Sequence, residues 1–222
     1  GLTLKDHDGE FTVDADRAER AQFALNYIES QTGPDDIVLS ESRVDPMSLV
    51  GRGDMAGTID VRIVYENGDT VELIDYKDGM NATDAREQLE QYAVGVVAEM
   101  QNLGQKAPLR LKMTVIQPKL RLKGLSGITS TVITLGELMQ IRDKMILEAA
   151  ATDDPDAPLV AGDKQCKYCA HAGACTALSG KALNDAGIAF AAIDVTTQAA
   201  AKEPTQMTDQ QLREIIESAP LL

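Results

Sequence analysis

Asp60, Asp75 and Lys77 fall inside one short stretch, Gly57–Lys77, reading GTIDVRIVYENGDTVELIDYK, and their types suit the handling of a divalent cation. Two carboxylates about 4 Å apart repel by about 4 kcal/mol at a surface-like effective dielectric, so a cation between them relieves the pair. A hard ion with oxygen ligands, Mg²⁺ or Mn²⁺, meets that demand. A neighbouring lysine can then orient or deprotonate a water, or neutralise charge developing on a phosphate. The plain alternative is a hairpin whose solvent face happens to carry three charges.

The element that must position these groups is a β-hairpin. An apolar-rich run, Thr58–Tyr65, meets a turn with the favoured Asn67-Gly68 pair, and a second run covers Thr70–Lys77. Side chains alternate along a strand, which puts Val71, Leu73, Asp75 and Lys77 on one face and Glu72, Ile74 and Tyr76 on the other. Pairing with the first strand brings Asp60 alongside.

Other elements follow from periodicity. Residues 14–31 read as a helix, Ile37–Arg43 as a strand carrying Glu41, and Asp45–Asp54 as a loop with Pro46, Gly51 and Gly53. Asn81–Leu103 is the clearest helix, with Ala85, Leu89, Tyr92, Val96, Val97 and Met100 in one apolar stripe. Gln88 and Tyr92 sit at i, i+4 on it. Leu109–Gln117 reads as a strand stopped by Pro118, followed by a mobile basic loop, a short strand over Ile128–Thr134 and a helix over Leu135–Ala151. An Asp/Pro-rich linker, Thr152–Pro158, leads to the cysteines, and Thr208–Ser218 is a short capped helix. The expected fold class is α/β, a mixed central sheet flanked by helices. The expected division is a core over 1–151 and, over 152–222, linker, cysteine appendage and helical tail packing on the core.

Charge narrows the partners. The chain of 222 residues carries a net charge of −14, which opposes nucleic-acid binding as a whole. Its distribution is uneven: residues 1–60 hold 13 acids and 5 bases, residues 61–136 hold 9 of each, and residues 137–222 hold 13 and 7. Between Met100 and Gly136 there is no acid, while Lys106, Arg110, Lys112, Lys119, Arg121 and Lys123 are present. One basic face on an acidic protein can hold nucleic acid there and repel it elsewhere. No apolar run reaches the length of a membrane span and the opening residues do not read as a signal peptide, so a cytoplasmic location and no membrane partner are expected. Three cysteines argue against a disulfide framework.

Taken in order, Gly57-Thr-Ile-Asp60, Asp75-Tyr-Lys77 and Gln88-Leu-Glu-Gln-Tyr92 resemble the G-x-x-D, (D/E)-x-K and Q-x-x-x-Y series of the RecB-like nucleases in the PD-(D/E)XK superfamily. Each motif alone is common by chance; the three together, on strand, strand and helix, carry the resemblance, which spans Ile37 to Pro118. It implies a restriction-endonuclease-like core and divalent-metal-dependent cleavage of DNA phosphodiesters, by an exonuclease more than an endonuclease. It also implies roles: Asp60, Asp75 and the backbone carbonyl of Tyr76 as metal ligands, Lys77 as the catalytic lysine, and Gln88 and Tyr92 as positioning residues. Glu41 corresponds to an acid that many relatives carry on the preceding strand, and is equally read as a solvated strand residue. The six bases of the acid-free stretch become the DNA contacts, to a single strand or to a duplex with free ends.

The run Cys166-Lys-Tyr-Cys169-Ala-His-Ala-Gly-Ala-Cys175 resembles the iron–sulfur staple of AddB-type nucleases and CRISPR-associated RecB-like exonucleases, which implies a [4Fe–4S] cluster. No cysteine precedes Cys166 to serve as the fourth ligand, so the resemblance expects a trimmed N-terminal segment to carry it. Zinc held by the three cysteines and His171 is one alternative, and three reduced thiols in a loop another. The phrase IQPKL and the overall pattern look most like phage or prophage members, with work in recombination beside a partner protein as the expectation. Two rivals stand beside the nuclease. One is an inactive DNA-binding or scaffold module on the same fold, which the intact Asp60, Asp75 and Lys77 argue against. The other is an unrelated metal-binding hydrolase, for which His7 and His171 are too far from the carboxylates.

Overall fold

The computed structural model describes residues 2–6 and 9–185; His7 and the expected helix at Thr208–Ser218 lie outside the described residues. The chain divides into two compact units, Gly1–Asp153 and Asp154–Leu222. No helix among the described residues is long and apolar enough to cross a membrane.

The first unit is an α/β arrangement. It opens with a hairpin absent from the sequence reading, β1 (Leu2–Asp6) and β2 (Gly9–Val13), followed by α1 (Ala15–Gln31). Asp14 caps α1 by accepting the Arg17 N–H at 2.8 Å. Then come β3 (Ile37–Val44), a short helix α2 (Met47–Val50) inside the expected loop, β4 (Gly57–Val64), β5 (Thr70–Tyr76), α3 (Arg86–Asn102), β6 (Arg110–Ile116), a 3₁₀ helix (Pro118–Lys123), β7 (Ile128–Thr134) and α4 (Leu135–Ala151).

The strands form one five-stranded mixed sheet in the order β3-β4-β5-β6-β7, with β5 and β6 parallel and the other neighbours antiparallel. The β4–β5 turn uses Asn67-Gly68 as its sequence requires: Gly68 adopts φ +65 and its N–H donates to the Tyr65 carbonyl at 2.8 Å. Being central, β5 is buried on both faces, and each of Val71, Leu73 and Ile74 contributes about 1.5–3 kcal/mol by burial. Val71 and Leu73 join Leu89, Val96 and Val97 of α3 and Leu138 of α4 in the larger core, whereas Ile74 joins Ile63 and Ile116 under Phe23, Tyr27 and Ile28 of α1. The sheet thus has helices on both faces.

On the α1 side the sheet buries a charge. Glu72 is 0 % exposed, and its carboxylate accepts from Tyr27 Oη at 2.7 Å, Thr114 Oγ1 at 2.6 Å and Tyr65 Oη at 2.6 Å, with Lys112 Nζ at 3.1 Å. Such a set of donors is what a buried carboxylate needs. Burial and the bond to Glu72 push the Tyr65 hydroxyl well above its ordinary range.

Two local differences from the expected elements have physical causes. The helix begins at Arg86, not Asn81, because Gln117, 1 % exposed, takes the preceding main chain for itself. Its side-chain amide donates to the Gly79 carbonyl at 2.9 Å and the Asn81 carbonyl at 2.6 Å, and accepts the Thr83 N–H at 3.1 Å. The basic segment after Pro118 is not an open loop but a 3₁₀ helix that buries Pro118 and Leu120. In the second unit, α5 (Asp163–Cys166), a short 3₁₀ turn (Ala172–Ala174) and α6 (Thr176–Asp185) carry the cysteine run.

Candidate active site

Asp75 lies at the C-terminal end of β5, on the α3 side, beside the end of its parallel neighbour β6. Ends of parallel strands are where an open α/β sheet exposes both backbone groups and side chains to a ligand. Lys77 extends the ladder by one bond, its N–H donating to the Ile116 carbonyl at 2.9 Å. Its Nζ donates to Asp75 Oδ1 at 2.9 Å and to Gln88 Oε1 at 3.3 Å, and Gln88 Nε2 donates to Tyr92 Oη at 2.9 Å. The structure therefore brings Asp75, Lys77, Gln88 and Tyr92 into one hydrogen-bonded line, from strand end to helix.

Asp75 is only 4 % exposed, and its second oxygen, Oδ2, is buried without a hydrogen-bond partner. Burial raises the carboxyl above its ordinary range; the bond and charge of Lys77 oppose that, and the charge of Asp60 adds to it. An orphaned anionic oxygen costs free energy unless a cation or donor meets it, so the donor chemistry fits a bound divalent ion.

Asp60 reaches the site through a break in the sheet. The β4–β5 ladder ends at Val61–Ile74, and beyond it Asp60 Oδ2 accepts the Tyr76 N–H at 2.7 Å. Opposite Asp60 on the other side stands Glu41, the one position skipped in an otherwise continuous β3–β4 register. Glu41 has φ +50, the sole positive φ of a non-glycine among the described residues. Ile59 packs in the α3-side core while Val61 and Ile63 pack on the α1 side, so the regular alternation of β4 breaks between them, at Asp60. A costly backbone opposite a carboxylate at a strand break is the kind of local strain that gathers at functional sites.

Gly57, the first residue of the motif, has a steric reason. A Cβ there would lie 2.3 Å from Tyr92 Cε1, so only glycine lets the ring approach the strand.

The structure does not assemble every expected residue. Among the described residues no three His, Cys, Asp or Glu side chains gather at metal-binding range. Cys166, Cys169 and Cys175 are free, with Cys169 exposed and Cys166 Sγ accepting the Gly162 N–H at 3.4 Å; they and His171 form no ligating group as they stand. The six bases also separate. Lys106 pairs with Asp69 at 2.9 Å and Arg110 opens β6, both at the far end of a strand about 20 Å long. Lys112 is committed to Glu72, to Gln31 at 2.8 Å and to the Tyr27 ring at 5.5 Å. Burial opposes its charge, but the bonds to Tyr27 and Glu72 win and its pKa is raised. Lys119, Arg121 and Lys123 lie in the 3₁₀ helix after β6, at the end where Asp75 and Lys77 stand. The roles of Gln117, Arg20 and Asp78 have no local sequence signal beyond one for Gln117, a polar residue closing an apolar strand before Pro118.

Fold and site together define an α/β protein with an acid–lysine–glutamine–tyrosine line at the end of a central strand. The chain belongs to the family described as "Protein of unknown function (DUF2800)", which it matches over residues 9–222. No curated protein matches it.

Proposed function

We propose that the protein is a divalent-metal-dependent deoxyribonuclease of the RecB-like PD-(D/E)XK kind, acting on DNA ends. The observation that carries this reading is the line Asp75–Lys77–Gln88–Tyr92 beside Asp60, with a buried, unpartnered Asp75 oxygen at its head. Asp60, Asp75 and the Tyr76 carbonyl would hold Mg²⁺ or Mn²⁺, with Glu41 as a further acid. When bound, such an ion polarises a phosphate oxygen and lowers the pKa of a coordinated water. Gln88 fixes the Lys77 ammonium, and Tyr92 fixes Gln88, so the lysine is aimed before substrate arrives. From there Lys77 can hold the attacking water or neutralise charge on the phosphate. Lys119, Arg121 and Lys123 supply positive charge at the same rim.

The cysteine run is the proposed holder of a [4Fe–4S] cluster or zinc, although its thiols are not gathered in this structure, and no step of the reaction is routed through it. Recombination and a phage setting stay with the motif pattern alone.

The test is degradation of end-labelled linear DNA, single- and double-stranded, with Mg²⁺, Mn²⁺ or EDTA. Shortening from one end that needs metal and disappears in Lys77→Ala is the expected result. Binding of DNA with no metal-dependent cleavage under any of these conditions would replace the nuclease with a binding module.

A further inference from the structure

A cavity of about 220 Å³ opens between α1 and the 3₁₀ helix. Arg20, Lys119 and Arg121 line it, with Phe23 as an apolar wall and the acids Asp16 and Glu19 also present. Two of the cations are the deeper groups: the Arg20 side chain is 11 % exposed and that of Lys119 25 %, against 74 % for Asp16, to which Arg20 Nη1 is paired, while Arg121 is exposed. Solvent screens Asp16 far more than it screens Arg20.

One further anion enters this cluster. Asp78, directly after the candidate catalytic lysine, places Oδ1 2.8 Å from Arg20 Nε and Oδ2 3.0 Å from Lys119 Nζ. A single carboxylate thus bridges cations from two different elements. Burial alone would raise its pKa, but Lys119 and Arg20 outweigh that and hold Asp78 below the usual carboxylate range. The bridge is imperfect. Arg20 Nε is buried and, although 2.8 Å from Asp78 Oδ1, its N–H falls outside hydrogen-bond geometry, so this donor is poorly used by the carboxylate. An oxygen-rich tetrahedral anion could engage Lys119 and that donor together. Beside it, the Arg121 guanidinium lies 4.7 Å from the Phe23 ring centre, a flat face suited to a sugar or base.

We infer that Arg20, Lys119 and Arg121 form a seat for a nucleic-acid phosphate at the rim of the candidate active site, and that Asp78 is its resident anion, displaced when a strand binds. The inference rests on the nuclease reading for the identity of the strand. The seat lies on the α1 side, where Arg20 and Phe23 originate, while Asp75 and Gln88 belong to the α3 side. A strand seated here would therefore cross the end of β5 with the phosphate on one side of the sheet and the acid–lysine pair on the other.

The experiment measures binding of a fluorescent DNA oligonucleotide to the full chain, without divalent metal, by anisotropy over a series of salt concentrations. Asp78→Asn keeps the shape of the side chain and removes its charge. It should tighten binding about tenfold, because the strand then meets the three cations without having to displace a carboxylate. Arg20→Gln and Lys119→Gln should each weaken binding about three- to tenfold and flatten the slope, whereas Lys106→Gln, at the far end of β6, should change it less than about twofold. Tightening is decisive because damage to the fold cannot produce it. Unchanged affinity in Asp78→Asn would overturn the seat, as would losses at Arg20 and Lys119 no larger than at Lys106. The same oligonucleotide with a 5′-phosphate or a 5′-hydroxyl separates the two phosphate sources. Extra affinity for the phosphate form, lost in Arg20→Gln, assigns a strand terminus; equal affinity assigns an internal diester. These shifts in a chain that cleaves nothing would keep the seat and remove the nuclease, while cleavage with an unresponsive Asp78→Asn would do the reverse.

Discussion

Replacing Gly57 by alanine tests whether the strand was shaped around Tyr92. The backbone there is not in the left-handed region, so alanine costs nothing conformationally and, by restricting the unfolded chain, stabilises by about 0.4–1 kcal/mol. Against that, its Cβ would sit 2.3 Å from Tyr92 Cε1 and 3.0 Å from Tyr92 Oη, so the ring must retreat about 1 Å to reach ordinary contact. Overpacking of this kind costs about 1–3 kcal/mol. The retreat also pulls the hydroxyl from Gln88, now 2.9 Å away, for another 0.5–1.5 kcal/mol or so. The expected net loss is about 0.5–4 kcal/mol, centred on about 2, read as a lower midpoint in urea with an unchanged slope. Adding Tyr92→Ala removes the clash, so Gly57→Ala in that background should cost less than about 0.5 kcal/mol. If the penalty were the same with and without Tyr92, or absent in both, the steric account of Gly57 would be wrong. Loosening Gln88 should also leave Lys77 less well aimed, so Gly57→Ala should lower cleavage more than it lowers DNA binding.

Three further outcomes follow from the same geometry. Because burial raises the folded pKa of Asp75, its stabilising protonated form is complete below about pH 4 and is lost as pH rises through the folded value. Asp75→Asn removes that titration, so metal-free stability at neutral pH should be no lower than wild type and should vary less with pH; a clear loss in urea melts would contradict the desolvation argument. Arg62, nearly buried, is held by both oxygens of the partly exposed Glu99 at 2.6 and 3.2 Å, so Glu99→Ala should cost about 1–3 kcal/mol, while Arg62→Met with Glu99→Leu should recover most of it. Anaerobic reconstitution with iron and sulfide should give visible absorption that Cys169→Ser abolishes, and zinc uptake in its place would favour the zinc site; retention of neither metal would refute both.

Much of the fold was legible because its signals are local. The β4–β5 hairpin is announced by Asn67-Gly68, and α4 runs over the residues its periodicity marks, with Thr134 and Glu137 forming a reciprocal cap at its start. The line from Asp75 to Tyr92 needed only two periods, two residues along a strand and four along a helix. What was not legible depended on partners distant in sequence. Gln117 takes the main chain of Gly79–Thr83 out of the helix, and nothing near Asn81 records that. Alternation places Glu72 on a strand face but says nothing of the Tyr27, Tyr65, Thr114 and Lys112 side chains that converge on it, which also withdraws Lys112 from the surface. The six bases form one run in sequence, but a strand about 20 Å long carries half of that run away from the rim. Arg20 lies on α1, where no neighbour in sequence marks it as meeting Asp78.

The left-handed backbone at Glu41 makes this position a gauge of selection. Glycine would hold φ +50 freely, whereas a side chain costs about 1 kcal/mol there, so enrichment of a random library for heat resistance alone should drift toward Glu41→Gly. Enrichment for activity should hold the acid instead, if Glu41 serves the neighbouring carboxylates. The two populations would diverge at a single codon, and their divergence would report how much stability this lineage has forgone to keep a charge opposite Asp60.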